Sequence, residues 1–173
     1  MKKIKNYLNS VGRQTVAMSK NNLKTKGLGG SKLDESVSYK VVEKNGNYTL
    51  EFYMNDYGRF MNDGVAGNDR KPKYFIDENG KKKKTSYKYT DKAPPAEIFE
   101  AWIKSKGIKG RSKKTGRFIK RKSLAFAMAK SRQIKGYNGL SFFTKPLSIQ
   151  LKKVNINLLD NIEKEFITTL NKI

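Results

Sequence analysis

The chain has 173 residues, a formal charge of +23, 36% hydrophobic residues, and neither Cys nor His. One domain fits that length, and a domain of this size buries roughly 70% of its unfolded surface. The missing residue types exclude thiol nucleophiles, histidine-dependent triads, zinc sites built on Cys or His, and disulfide staples. No apolar run approaches the ~20 residues that span a bilayer. The start, Met1-Lys2-Lys3-Ile4-Lys5, is basic, but Asn6, Asn9, Ser10 and Arg13 follow where a signal peptide needs an apolar core. The expectation is a soluble intracellular product with no membrane contact.

Ile4, Leu8, Val11, Thr15 and Met18 recur at steps of three and four, which predicts an amphipathic helix over about 3–23. Gly27, Gly29 and Gly30 break it, and Ser31 is placed to cap a short turn or helix through Glu35. Val37, Tyr39 and Val41 then alternate with polar residues, as do Tyr48, Leu50, Phe52 and Met54. Asn45-Gly46 between the two runs predicts an antiparallel hairpin, about 36–43 and 47–55, with one buried face. In the segment Tyr57 to Gly67, Tyr57, Phe60 and Met61 are placed to share an apolar stripe, and Gly58, Gly64 and Gly67 free the backbone. From about 68 to 92 the chain turns polar and basic around a second Asn-Gly, Asn79-Gly80, which predicts a protruding hairpin or mobile arm rather than core. Pro94-Pro95 opens a helix with Ile98, Ala101, Trp102 and Ser105 along one side, ended by Gly107. A helix over about 121–135 is expected to pack Leu124, Ala127, Met128 and Ile134 and to stop at Gly136. A last helix is expected over at least 157–172. The fold class expected is therefore α+β: a small antiparallel sheet packed with an N-terminal, two central and a C-terminal helix, in a single domain over 1–173.

The placement of charge says more than its total. Between Glu100 and Asp160 there is no acidic residue, while Lys and Arg recur sixteen times, so that segment carries +16 of the +23. Its densest part is a loop at 104–122 holding Lys104, Lys106, Lys109, Arg111, Lys113, Lys114, Arg117, Lys120, Arg121 and Lys122. A one-signed field of that length repels copies of itself and attracts polyanions, either DNA phosphates or an acidic protein surface. Nothing in it reads bases, so DNA binding would be sequence-blind. Phe118 and Ile119 interrupt the charge and are expected to anchor the loop.

Catalytic patterns are absent. Gly107, Gly110 and Gly116 lie among cations, but no G-x-x-x-x-G-K-[ST] occurs and no apolar strand leads into them. Asp56 and Asp63 have no evident catalytic partner, and Asp63 before Gly64 reads as a turn former. Trp102 reads as core, with a subunit-interface anchor as the alternative. Phe142-Phe143 before Lys145-Pro146 reads as a packed loop that turns the chain into its last helix. No enzymatic activity, cofactor or metal site is expected.

Taken in order, several of these pieces resemble the neck or tail-completion proteins of tailed bacteriophages. They are the helix leading to Ser31-Lys32-Leu33-Asp34-Glu35-Ser36, the hairpin, the Tyr57–Gly67 segment, and Pro94-Pro95 with Ile98 and Trp102. Thr115-Gly116-Arg117-Phe118-Ile119, Arg121 to Ala127, and Phe142-Phe143-Thr144-Lys145-Pro146 complete the order. The resemblance implies a structural virion protein: a homo-oligomeric ring, twelve copies rather than six, at the head–tail junction around the DNA channel. It implies portal-side connector and tail proteins as neighbours, and structural or interface roles for Tyr57, Gly58, Phe60, Asp63, Gly64, Gly67, Pro94, Pro95, Trp102, Phe142, Phe143 and Pro146. Synthesis would be in the bacterial host cytoplasm. The Lys81–Lys84 run and the high charge depart from the family's pattern. The competing expectation is a sequence-nonspecific nucleic-acid-binding protein.

Overall fold

A computed structural model of the chain describes residues 2–69 and 71–154. The fold is α+β, with short two-stranded sheets among helices. Contacts group the chain into two compact units, each discontinuous in sequence. Among the described residues, the first comprises 2–62, 76–82 and 141–154; the second comprises 63–69, 71–75 and 83–140.

In the first unit, α1 (Lys2–Thr25) lays one face on the hairpin of β1 (Ser38–Lys44) and β2 (Asn47–Tyr53). The expected helix is present and one turn of its stripe shifts. Ile4 is exposed, and the buried line is Val11, Thr15, Ser19 and Leu23, at steps of four. Its two hydroxyls return bonds to the preceding turn, Thr15 Oγ1 to Val11 O and Ser19 Oγ to Thr15 O, both at 2.8 Å, so neither is buried unsatisfied. Gly12 lies where the Tyr39 ring rests on the helix backbone, and a Cβ there would overlap that ring. Asn45 (φ 51°) and Gly46 (φ 76°) form the hairpin turn, the primed geometry that matches strand twist. The register pairs Tyr39 with Phe52 and Val41 with Leu50, setting the expected apolar residues on one face. Between hairpin and helix, α2 (Lys32–Ser36) is capped as its sequence implies, Ser31 Oγ accepting from Asp34 N at 3.3 Å. Leu33, Val37 and Phe142 are buried. The Phe143 ring meets Phe52 edge-on at 5.1 Å, and a helix, α6, covers 144–154 with Pro146 buried in its first turn.

In the second unit, α4 (Ala96–Ser105) packs on α5 (Arg121–Lys135), and β3 (Gly64–Ala66) pairs antiparallel with β6 (Gly136–Asn138). Both helices have the expected spans, and Gly107 and Gly136 follow them as expected, but their buried faces differ. On α4 the buried residue is Ile103, while Ile98 and Trp102 are 62% and 44% exposed; Trp102 is not core. On α5 the buried line is Ala125, Ala129 and Gln133, while Ala127 and Ile134 are exposed. The physical reason is shared: both helices carry apolar residues on two sides, so period alone leaves the phase open. Phe99 and Ile103 fill the inner side, and the small Ala125 and Ala129 are what α5 buries.

The 68–92 segment does form a hairpin, from β4 (Tyr74–Ile76) and β5 (Lys82–Lys84), with the second strand earlier than 85–89. Its turn is closed by its own bonds: Asp77 is buried, and its Oδ1 accepts from Asn79 N at 3.0 Å and Lys81 N at 2.8 Å, while residues 78–84 are exposed. Thr85, just past β5, is also buried. The helix expected over 157–172 lies outside the described residues.

Candidate functional site

The basic segment 104–122 lies wholly in the second unit and is an ordered hairpin. Gly107 (φ 62°) closes α4, and Ile108 N donates to Ile103 O at 3.0 Å. Arg111 and Phe118 then bridge as antiparallel partners. Ser112 N donates to Arg117 O at 2.9 Å and Ile119 N to Gly110 O at 2.9 Å. At the tip Gly116 N donates to Ser112 O at 2.8 Å, with Gly116 at φ 67°, a conformation that favours glycine. Phe118 does not anchor the loop by burial, being 61% exposed; Ile119 is exposed as well. Instead the Arg111 guanidinium stacks 4.4 Å from the Phe118 ring centroid, a contact worth about 0.5–1 kcal/mol at an exposed site. All ten cations from Lys104 to Lys122 are exposed.

The hairpin leads directly into α5, whose start is electrostatically unrelieved. Lys120 occupies the N-cap with no side-chain cap bond, and the first turn holds Arg121 and Lys122 with no acidic residue. Cations there oppose the positive end of the helix dipole. An anion at this end would satisfy both the free N–H groups and the charge. The surface suits phosphate or carboxylate.

The segments at 57–62 and 141–146 meet through a residue that pattern reading overlooks. Asn62, the penultimate residue of α3 (Gly58–Asp63), is only 4% exposed. Its Oδ1 accepts from Phe143 N at 3.0 Å and Thr144 N at 3.2 Å, capping α6 from a distant segment. Its Nδ2 donates to Thr144 Oγ1 at 3.1 Å, its carbonyl accepts from Ser141 N at 3.0 Å, and Thr144 Oγ1 donates to Ile76 O. Gly58 is buried where a Cβ would press on Leu33 and Met54. Tyr57 and Phe60, expected on a shared apolar stripe, are 46% and 43% exposed, and of the three only Met61 is half-buried. A six-residue helix is too short to present a stripe, and Gly58 and Asn62 take its inward positions.

In the second unit Asp63 ends α3 directly before Gly64 (φ 75°), consistent with a turn former. Gly64 and Gly67 are buried where β3 and β6 approach, and a Cβ on Gly67 would overlap the Ile134 carbonyl. Pro95 is the N-cap residue of α4, with Pro94 before it. Tyr137 is the group here with the largest displacement. Burial pushes its phenol up to about 12, the neighbouring Tyr89 adds to the rise, and Arg132, 5.3 Å over the ring, opposes it. Two signals could have exposed the hairpin earlier: the Lys113-Lys114-Thr115-Gly116 turn and the residues Arg111 and Phe118 set symmetrically about it. Nothing local singled out Asn62.

Among the described residues, no group of His, Cys, Asp and Glu is placed to hold a metal ion, and no helix is long and apolar enough to cross a membrane. Comparison with protein-family models, with curated proteins and with solved structures finds no match to this chain.

Proposed function

We propose that this chain is a structural subunit of a ring at the head–tail junction of a tailed bacteriophage, joining portal-side proteins to the tail around the DNA channel. The observation that carries the reading is the exposure of Tyr57 and Trp102, motif positions that are 46% and 44% exposed in the single chain. Aromatic side chains of this size are favoured anchors between subunits. A closed ring needs a heterologous contact, with different surfaces on the two sides of each copy. Tyr57 belongs to the first unit and Trp102 to the second. The cationic hairpin and the start of α5 would face DNA phosphates or an acidic neighbour, and the chain would act in the virion without catalysing a reaction.

The test is genetic and structural. Particles assembled without this protein should have filled heads and lack stably joined tails, as seen by electron microscopy. Normal tail attachment in the deletion overturns the reading. A sequence-nonspecific nucleic-acid-binding protein is the second reading, favoured by the same hairpin. It predicts binding to duplex DNA by a monomer and no ring in any condition.

A further inference from the structure

We infer that the second unit contains a second anion site, remote in sequence from the 104–122 hairpin, that grips the phosphodiester backbone of duplex nucleic acid. The site is a cleft of about 270 Å³ between the extended chain after β5 and the Lys71-Pro72 segment. Its floor is Ala66 and Gly67, and its cations are Lys71, Lys84 and Lys88, with the Ser86 hydroxyl between the last two; no carboxylate lines it.

The chain from Lys84 to Lys88 is fixed from its inner side. Thr85 Oγ1 donates to Gly64 O at 2.8 Å, Ala66 N donates to Tyr87 O at 2.8 Å, and Tyr89 N donates to Ala66 O at 2.9 Å. Thr85 is buried and Tyr87 half-buried, so the alternation of an extended chain turns Lys84, Ser86 and Lys88 outward together. Their spacing is about 6.7 Å per two-residue step. That yields a row of cation, hydroxyl and cation at intervals comparable to consecutive phosphates on one nucleic-acid strand, with Lys71 facing it across the cleft. The Lys81–Lys84 run thus delivers its last member to a formed site rather than to a free tip.

The lining also selects the ligand. No aromatic side chain is present, so there is no platform on which an unpaired base could stack, as single-strand grooves use. The volume lies at the lower end of the roughly 300–1,000 Å³ of ligand pockets, and the lysine and hydroxyl lining suits phosphate groups. Duplex backbone, contacted through phosphates alone, fits best. This site does not depend on ring assembly, because every residue in it belongs to one unit of one chain.

The experiment uses the full chain and a short fluorescent DNA duplex, with affinity read by anisotropy across a salt series. The triple variant Lys71→Gln/Lys84→Gln/Lys88→Gln should bind at least about ten-fold more weakly at ~0.1 M salt. Its log–log salt slope should fall in magnitude by about 2.7, three contacts at 0.9 each. Ser86→Asp, which sets a carboxylate in the middle of the row without removing a lysine, should weaken binding in the same way. The substituted side chains are exposed, so circular dichroism should be unchanged. An unchanged slope and affinity in both variants overturns the site, as does failure of the wild-type chain to bind duplex at ~0.05 M salt. Displacement of the duplex by polyglutamate from the wild type but not from the triple variant would assign the cleft to an acidic protein and overturn the nucleic-acid inference.

Discussion

Asn62 concentrates more structure than any other side chain described. It gives the start of α6 two acceptor contacts and a donor contact, from a position 81 and 82 residues earlier in the chain. Asn62→Ala would leave the Phe143 and Thr144 amides without that acceptor in a buried setting. The expected cost is about 2–4 kcal/mol, since each orphaned buried group costs roughly 1–3 kcal/mol. Urea unfolding should show a lower midpoint with an unchanged slope; a loss under about 1 kcal/mol would mean that water replaces the amide. Tyr137 gives a second residue-scale prediction, in pH. Its folded pKa is raised by burial to about 12, above the ordinary phenol value of 10.0. Between those values the folded protein keeps a proton that the unfolded chain releases. Its contribution is therefore fully present below about 10 and is lost as pH rises towards 12. Tyr137→Phe should lose less stability than the wild type between pH ~9 and ~11.5 in thermal melts, and equal losses would show that the phenol is not linked to folding.

At the scale of elements, α5 begins against its own electrostatics. Lys120→Asp would give the N-cap an acceptor and an anion at the positive helix end. The expected gain is about 1 kcal/mol of stability, accompanied by weaker binding of duplex DNA or other polyanions. A variant that gains stability while binding unchanged would separate the helix start from the docking surface. Element spans were largely legible in sequence. Asn45-Gly46, Ser31, Pro95, Gly107 and Gly136 each impose a local backbone state, so the hairpin, the cap and the helix ends follow from neighbouring residues. Facing was less legible. On α4, Ile98-Trp102 and Phe99-Ile103 satisfy the same spacing, and only the packing partner decides between them. The order within 104–122 was hidden for a related reason: its hairpin is held by backbone bonds and an Arg–Phe stack, neither of which leaves an apolar periodicity. Asn62 was illegible because its side-chain partners Phe143 and Thr144 lie across the chain, and a lone Asn in a short helix carries no pattern.

For the whole molecule, a formal charge of +23 sets copies against one another, and the exposed aromatics set them together. Which wins depends on screening. The Debye length is about 10 Å at 0.1 M salt and falls to about 3 Å at 1 M, so repulsion between copies weakens while apolar contacts persist. Purified chain should accordingly be monomeric at ~0.05 M salt and associate as salt rises, or as a polyanion neutralises the hairpin and the Lys71–Lys84–Lys88 cleft. Ordinary surface ion pairing between copies would give the opposite trend, since salt dissolves it. Trp102 distinguishes the contact itself: it is 44% exposed, so Trp102→Ser should remove salt-induced association while the chain stays folded, with a melting temperature lowered by loss of the covered part of the ring. Tyr57→Ser should act alike if it supplies the complementary side, because a heterologous contact fails when either side is lost. Mixing the two variants gives the strongest version of the test. Each retains one intact surface, so a mixture should form a single heterologous contact and stop at dimers, which sedimentation velocity resolves from a closed ring. Rings formed by either variant alone, or a wild type monomeric at every salt concentration and with duplex DNA present, would remove the basis for a ring built through these aromatics.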